Sequence, residues 1–258
     1  MQGKKKKLMS KEAYQDEIFI LRVQNWQTAD KYAVCFSRSH GKIAFIAFGA
    51  RYPRSTYGRL IQPFAQLSAQ FTPGARIDTL RQCENLFLPE AVDVETFAYG
   101  AVIAEVTENL TSEQEPEEEV YNLLLQAYRL LGERNKRIVT LSTLLKLLVC
   151  CGFTPELTAC TSCHEEITKD GYFSLAQGGF LCSKCAIGDE LRCSINTKKL
   201  MENLINLDFT KPQDFVVRGG ELMQLEQILY KFILYQTDKP LKSLDFLGQI
   251  QDQYTKKA

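Results

Sequence analysis

Cys160-Thr161-Ser162-Cys163 and Cys182-Ser183-Lys184-Cys185 are two Cys-x-x-Cys pairs separated by eighteen residues. A thiolate is a soft anionic ligand, and Zn²⁺ accepts four of them tetrahedrally. Each pair is a tight knuckle that aims two sulfurs at one point. Between them, residues 172–175 turn towards residues 178–181 in a short hairpin that returns the second knuckle to the first. The spacing falls within the range of zinc sites, so one structural Zn²⁺ is expected on Cys160, Cys163, Cys182 and Cys185. Four protein ligands leave no open position for water, which makes such an ion structural and not catalytic. Two rival readings exist. Cys160–Cys163 followed by His164 spells a c-type haem attachment, but that chemistry leaves Cys182 and Cys185 without a role. A thioredoxin-like pair needs a strand-to-helix context, whereas Pro155 and Thr158 introduce a loop. Disulfides are disfavoured in a reducing compartment.

The knuckles sit between helical patterns. Upstream, residues 94–106 contain a helix-like run, and Thr111-Ser112-Glu113-Gln114-Glu115-Pro116 reads as a linker. Glu117, Glu118 and Glu119 suit the positive end of a helix macrodipole, followed by an apolar face of Val120, Leu123, Leu124, Ala127, Leu130 and Leu131. Residues 138–151 are apolar nearly all round and predict a buried helix, with Cys150 and Cys151 as core thiols. Gly152 and Pro155 end it. Downstream, residues 197–207, 221–235 and 241–253 predict three more amphipathic helices. The metal module is therefore expected as an insertion into one helical domain, with helical parts at 89–156 and 191–258 and the finger at 157–190.

Residues 17–88 read as strands. Phe19, Leu21 and Val23 alternate with Arg22 and Gln24, the pattern of a half-buried strand. Residues 32–36, 42–48, 61–71 and 77–84 supply four more, punctuated by Gly41, Gly49 and Pro73-Gly74. Five short strands in about 70 residues predict a small barrel. An OB-fold is the natural candidate, and pattern alone does not separate it from an SH3-like barrel. The fold class is thus α+β and multidomain: an N-terminal OB-fold barrel, then an all-α domain carrying a four-cysteine finger. Residues 1–16, with lysines at 4–7, read as a flexible basic extension.

The 258 residues carry zero net charge, 45% hydrophobic residues and two histidines. The balance hides a segregation. Residues 18–82 hold nine Lys/Arg against Asp30 and Asp78, while residues 84–120 hold eleven acids and no Lys or Arg. Such segregation points to an anionic partner for the first domain, against the plainer reading of a solvated basic face. The stretch Gly49-Ala50-Arg51-Tyr52-Pro53-Arg54-Ser55-Thr56-Tyr57-Gly58-Arg59 concentrates the signal. Arginine forks bind phosphate, tyrosine rings stack on unpaired bases, and Ser55 and the amides near Gly49 and Gly58 are candidate phosphate donors. No apolar run approaches the roughly 20 residues of a membrane span. The basic start is followed by no apolar segment, so a secretory signal is not expected and the cytoplasm is. No catalytic constellation stands out, and no enzyme is expected.

In order and spacing, several stretches resemble one family. They are Phe36-Ser37-Arg38-Ser39-His40-Gly41-Lys42, Gly49-Ala50-Arg51-Tyr52-Pro53-Arg54-Ser55, Leu60-Ile61-Gln62-Pro63-Phe64, Gly152-Phe153-Thr154-Pro155-Glu156-Leu157 leading into the first knuckle, and Gly178-Gly179-Phe180-Leu181 leading into the second. From about Ile18 onwards the chain resembles the RecO family of bacterial DNA repair and recombination proteins. The resemblance implies an OB-fold, a helical domain and a zinc finger. It also implies binding to single- and double-stranded DNA, annealing of complementary strands, and help in loading RecA onto DNA coated by single-stranded-DNA-binding protein. The implied partners are RecR and the acidic tail of the single-stranded-DNA-binding protein, at the nucleoid and not at a membrane. By motif, the implied DNA contacts are Lys42, Arg51 and Arg54, and charge adds Arg38 and Arg59. Arg129, Arg134 and Arg137 are candidates by charge for the tail. Departures exist: Phe48 stands where the family has a basic residue before the loop, and Gln27-Thr28 replaces a Gly-Glu, which would pass DNA affinity to Lys31 or Arg22. Alternative readings of the residues alone are an RNA-binding zinc and OB protein of translation, a basic-barrel scaffold for an acidic peptide, and a thiol redox enzyme.

Overall fold

The computed structural model describes residues 12–89 and 93–255. The lysines at 4–7 lie outside them. Five strands, β1 (Tyr14–Trp26), β2 (Asp30–Ser37), β3 (Gly41–Ala47), β4 (Gln66–Thr72) and β5 (Asp78–Phe87), close a barrel in the order β1-β2-β3-β5-β4. All pairings are antiparallel except β3 with β5. This is a five-stranded barrel of the OB type. β1 is long because it serves two neighbours. Its first half pairs with β4, its second with β2, and an irregularity between Ile20 and Arg22 turns it from one to the other. The period-2 alternation has its expected consequence: Ile43, Phe45 and Ala47 point inwards with Ile18, Ile20, Ala33, Cys35, Leu67, Ala69, Phe71 and Leu80. Burying side chains of this size is worth about 1.5–3 kcal/mol each for the larger ones.

Two boundaries differ from the sequence reading. β1 begins at Tyr14, so the last residues assigned to a flexible extension are ladder residues, Tyr14–Asp16 pairing with Phe71–Ala69. The fourth strand begins at Gln66, not at residue 61. Pro63 lacks a donor and Phe64 turns to φ 70°, so regular pairing starts only after them, with Ile61 and Ala65 packed into the barrel core. Ile20 N–H donates to Ala65 O at 2.9 Å and Phe64 N–H to Ile20 O at 2.8 Å. Glu113–Pro116, read as a linker, belongs to the barrel unit: Gln114 N–H donates to Lys42 O. A Cβ on Gly41 would stand 2.1 Å from Glu115 O, so only glycine fits there.

The second unit carries α1 (Val94–Leu110), α2 (Glu118–Leu131), α3 (Lys136–Cys150), α4 (Ile195–Ile205), α5 (Gly219–Thr237) and α6 (Lys242–Thr255). Asp93, Asn135 and Ser194 cap α1, α3 and α4 by accepting the amides of Thr96, Ile138 and Thr197, each such cap being worth about 1 kcal/mol. Helix α3 is buried from Ile138 to Leu145 and again at Leu147 and Leu148. α3 and α4 are joined across the inserted module: Ser142 Oγ donates to Leu204 O at 2.6 Å and Lys146 Nζ to Leu207 O at 2.6 Å. Between them lies a three-stranded sheet of β6 (Gly171–Ser174), β7 (Gly179–Leu181) and β8 (Leu191–Cys193) in the order β7-β6-β8. The β6–β7 hairpin returns the chain as its spacing predicts. No helix among the described residues is long and apolar enough to cross a membrane.

Candidate nucleic-acid interface and metal centre

The four knuckle sulfurs lie within 4.8 Å of one another, with Cys163 Sγ and Cys182 Sγ 3.8 Å apart. Four sulfurs at about 2.3 Å from a tetrahedral Zn²⁺ stand about 3.8 Å from each other, so the donor set fits an ion of that size. All nine cysteines are free thiols. Cys160–Cys163 lies in a loop and not at a helix start, and the convergence of both pairs leaves neither for haem attachment. The loops are held by their own backbone: His164 N–H donates to Cys160 O, Cys160 N–H to Glu165 O, and Cys185 N–H to Cys182 O. Burial opposes the ionisation of Cys160, but the amides of Cys163, Cys182 and Ser162 converge on its sulfur and bring it down to about 6. The Cys182 and Cys163 thiols push Cys185 up to about 12. A divalent cation therefore replaces protons when it binds, and affinity rises with pH.

The basic residues of the barrel do not form one cluster. Arg38 lies in the β2–β3 turn and Lys42 at the start of β3. Arg51, Arg54 and Arg59 lie in the loop after β3. The six steps from Lys42 to Phe48 span about 20 Å at 3.3–3.4 Å per residue. At the turn end, Arg38 Nη1 is paired with Glu17 Oε2 at 3.0 Å, and Lys42 is half-buried. At the loop end, Arg51 is pinned by its amide to Ala29 O at 2.8 Å and by Nη1 to Thr28 O at 3.2 Å. Arg54 and Arg59 are exposed and make no side-chain hydrogen bond or ion pair with any described residue.

The loop is rigid by construction. Lys31 Nζ donates to Gly58 O at 2.7 Å and Ile61 O at 2.8 Å, and Tyr57 OH donates to Phe48 O at 3.0 Å. A Cβ on Gly58 would fall 1.9 Å from Ala50 O. Burial and the Arg51 charge both lower the Lys31 ammonium below its ordinary value. Lys31 is thus a staple and not a spare phosphate ligand, which corrects its sequence reading. The backbone donors are also engaged: Gly49 N–H goes to Asp30 Oδ1 at 2.8 Å and Gly58 N–H to Ser55 Oγ at 3.0 Å. The arginine guanidinium groups and the Ser55 hydroxyl, which accepts from Gly58 and keeps its own O–H, are donors this loop can offer an anion.

Outside the barrel, the sequence reading missed an aromatic surface. Arg22 lies over the Tyr32 ring at 5.9 Å, and Trp26 sits 5.8 Å from Tyr32. The strand register was the signal that could have found it, because inward Ala33 and Cys35 force Tyr32 outwards. In the helical unit, Arg129, Arg134 and Arg137 do not make one free basic patch. Arg137 forks onto Glu226, with Nε to Oε1 at 2.6 Å, and Arg134 Nη1 donates to Lys211 O at 2.8 Å. Arg129 is exposed.

Two family models match the chain, one described as Recombination protein O N terminal over residues 9–87 and one as Recombination protein O C terminal over residues 91–245. The chain is 32% identical over 247 residues to the DNA repair protein RecO of Symbiobacterium thermophilum, covering 92% of this chain and 98% of that one. It is 28% identical over 242 residues to the DNA repair protein RecO of Pelotomaculum thermopropionicum, covering 92% and 94%, and 30% identical over 241 residues to that of Shouchella clausii, covering 92% and 94%.

Proposed function

The chain belongs to the RecO family of DNA repair proteins, and on that premise we propose that it is a DNA-binding recombination mediator. In this reading it binds single- and double-stranded DNA, anneals complementary strands, and helps load RecA onto DNA coated by single-stranded-DNA-binding protein. It acts by binding and not by covalent chemistry, in the cytoplasm at the nucleoid, with RecR and the acidic tail of the single-stranded-DNA-binding protein as partners. Arg129 and Arg134 remain the candidates for the tail, since Arg137 is committed to Glu226. Cys160, Cys163, Cys182 and Cys185 hold one Zn²⁺, which cross-links the two knuckles and takes no part in a reaction.

The observation that carries the DNA reading is the pair Arg54 and Arg59, exposed and with no side-chain bond to any described residue, on a loop whose backbone is held by Lys31, Asp30 and Tyr57. Guanidinium groups carried on a hydrogen-bonded loop bind phosphate bidentately and release condensed counterions from the nucleic acid. A second basic group about 20 Å away along β3, Arg38 with Lys42, lets one barrel lower the repulsion between two phosphate backbones. Annealing needs that reduction. The test is fluorescence anisotropy with a labelled single-stranded oligonucleotide over a range of salt. Arg54→Ala with Arg59→Ala should weaken binding, with a slope against log salt shallower by one to two, at unchanged melting temperature. Binding equal to the parent protein would remove the loop as the DNA site.

A further inference from the structure

We propose that Glu113–Pro116, the acidic connection between α1 and α2, is a strap that competes with nucleic acid for the basic turn end of the barrel and so restrains capture of a second strand. The proposal rests on the reading of the barrel as a DNA-binding unit and concerns how its two basic ends differ. The strap occupies a vacant edge. β5 pairs with β3 only at Phe45 and Ile46, which leaves residues 41–44 on that edge of β3 without a strand. There Glu113 bridges to Lys42 in the parallel sense, and Gln114 N–H donates to Lys42 O at 3.0 Å. Glu115 O lies against Gly41, where a Cβ would stand 2.1 Å away. These contacts are all made by backbone.

The side chains carry the charge. Residues 84–120 hold eleven acids and no Lys or Arg, and the strap brings two of those acids back to the basic barrel. Glu113 and Glu115 are exposed, and their carboxylates make no hydrogen bond or ion pair with any described residue. Bridge partners stand about 4.8 Å apart across a ladder, so 0.15 M salt, with a Debye length of about 8 Å, screens Glu113 from Lys42 only in part. At the same end Arg38 is paired with Glu17 at 3.0 Å and His40 lies 2.7 Å from Asp16. Arg38, His40 and Lys42 thus each have an acid of β1 or of the strap beside them. Arg54 and Arg59, at the loop end, make no ion pair with any described residue. A phosphate backbone meets unopposed arginines at the loop end and a balanced set of charges at the turn end. The first strand is therefore taken at the loop, and a second strand at the turn only against the repulsion of the strap.

The experiment uses the full-length chain and two readouts: anisotropy on a labelled oligothymidine over a range of salt, and the annealing rate of two complementary labelled oligonucleotides. Glu113→Gln with Glu115→Gln removes both charges and leaves the backbone attachment in place. It should tighten binding about threefold to fivefold at low salt and by nothing measurable at high salt, steepen the salt slope by about one, and speed annealing by a similar factor. Glu166 and Asp189 are exposed acids of the finger. Glu166→Gln with Asp189→Asn makes the same change of net charge there and should leave both readouts within about twofold of the parent protein. An unchanged low-salt affinity or annealing rate in the strap variant, a gain that persists at high salt, or an equal gain from the finger variant would overturn the proposal. The Arg54→Ala, Arg59→Ala variant separates the two levels. If it loses binding while the strap variant matches the parent protein, the DNA site stands and the competing strap falls. If both bind like the parent protein, the barrel itself is not the site.

Discussion

The barrel and the finger both present polar groups from short β elements, but they relate site to fold in opposite ways. In the barrel, a closed layer of apolar side chains holds the strands, and the arginines lie outside it. In the finger, buried Leu157, Ile167, Phe173, Phe180 and Leu181 are few, and the two knuckles meet through a handful of backbone bonds, Thr161 N–H to Phe180 O and Phe180 N–H to Glu156 O among them, beside four converging sulfurs. Removing a charge from the barrel should therefore change binding and spare the fold. Removing a sulfur from the finger should do the reverse. The largest expected effect follows. Structural zinc contributes on the order of 10–16 kcal/mol in isolated zinc-finger peptides at neutral pH, more than a core of this size replaces. Cys160→Ser should abolish stoichiometric zinc and strip hydrogen-exchange protection from residues 157–193, with the oligonucleotide salt slope of the barrel intact. Loss of the slope together with the zinc would break the contrast.

This contrast also explains what could be read in the sequence. The four-sulfur cluster was legible because residue identity and spacing are local: two Cys-x-x-Cys pairs and a hairpin of the right length leave the sulfurs one place to go. The helices were legible from periodicity, α3 above all, since an element apolar on every side has to be buried. The barrel charges were not. Lys31 and Arg54 look alike as letters, yet Lys31 reaches two carbonyls more than twenty residues away in the chain, and Arg54 reaches none. Arg137 was hidden in the same way by Glu226, which lies on another helix. Gly49 looked like a phosphate donor until its amide was found on Asp30. In each case closure of the tertiary structure decides whether a charge or donor is available, and no local pattern encodes that closure.

Lys31 gives the second prediction. Two charge-assisted hydrogen bonds to carbonyls contribute about 1.5–3 kcal/mol each. Lys31→Met keeps the aliphatic stem and removes the ammonium; because burial of the charge offsets part of the gain, the barrel should lose about 2–4 kcal/mol in urea unfolding and not the full sum. Because this ammonium is occupied by the loop, the DNA salt slope should stay where it is. A slope lower by about one would make Lys31 a phosphate ligand after all.

A smaller effect sits at the other end of the barrel. Asp16 is buried, which favours its neutral form, but Ser37, His40 and the amides of Ser39 and Glu17 outweigh burial and hold its carboxyl below the usual value. His40 Nδ1 lies 2.7 Å from Asp16 Oδ2. A folded pKa below the unfolded one means that stabilisation is complete above the unfolded value, near about 4, and is lost as pH falls through the folded one. Asp16→Asn should therefore cost about 1–2 kcal/mol at pH 7, with the difference from the parent protein narrowing below about pH 4. A constant difference down to pH 2 would mean that shape and not charge is what Asp16 supplies to the turn bearing Arg38.

The smallest effect compares Arg38 with Arg54. Both are exposed arginines of the barrel and both were DNA candidates by sequence, but Arg38 is paired with Glu17 at 3.0 Å and Arg54 makes no ion pair with any described residue. A phosphate that approaches Arg38 competes with a carboxylate already there, and an exposed pair of this kind is worth about 0–1 kcal/mol. Arg54→Ala should lower the salt slope by about one. Arg38→Ala should lower it by a fraction of that, because removing the arginine also frees Glu17 to repel the strand. Glu17→Gln separates the two contributions: it removes the carboxylate charge beside Arg38 and with it the repulsion, so binding should tighten by about twofold to threefold at low salt and by nothing measurable at high salt. If Glu17→Gln leaves low-salt affinity unchanged, the turn end of β3 is not a DNA surface. The proposed annealing would then require the second strand to come to the loop end alone, or to the helical unit.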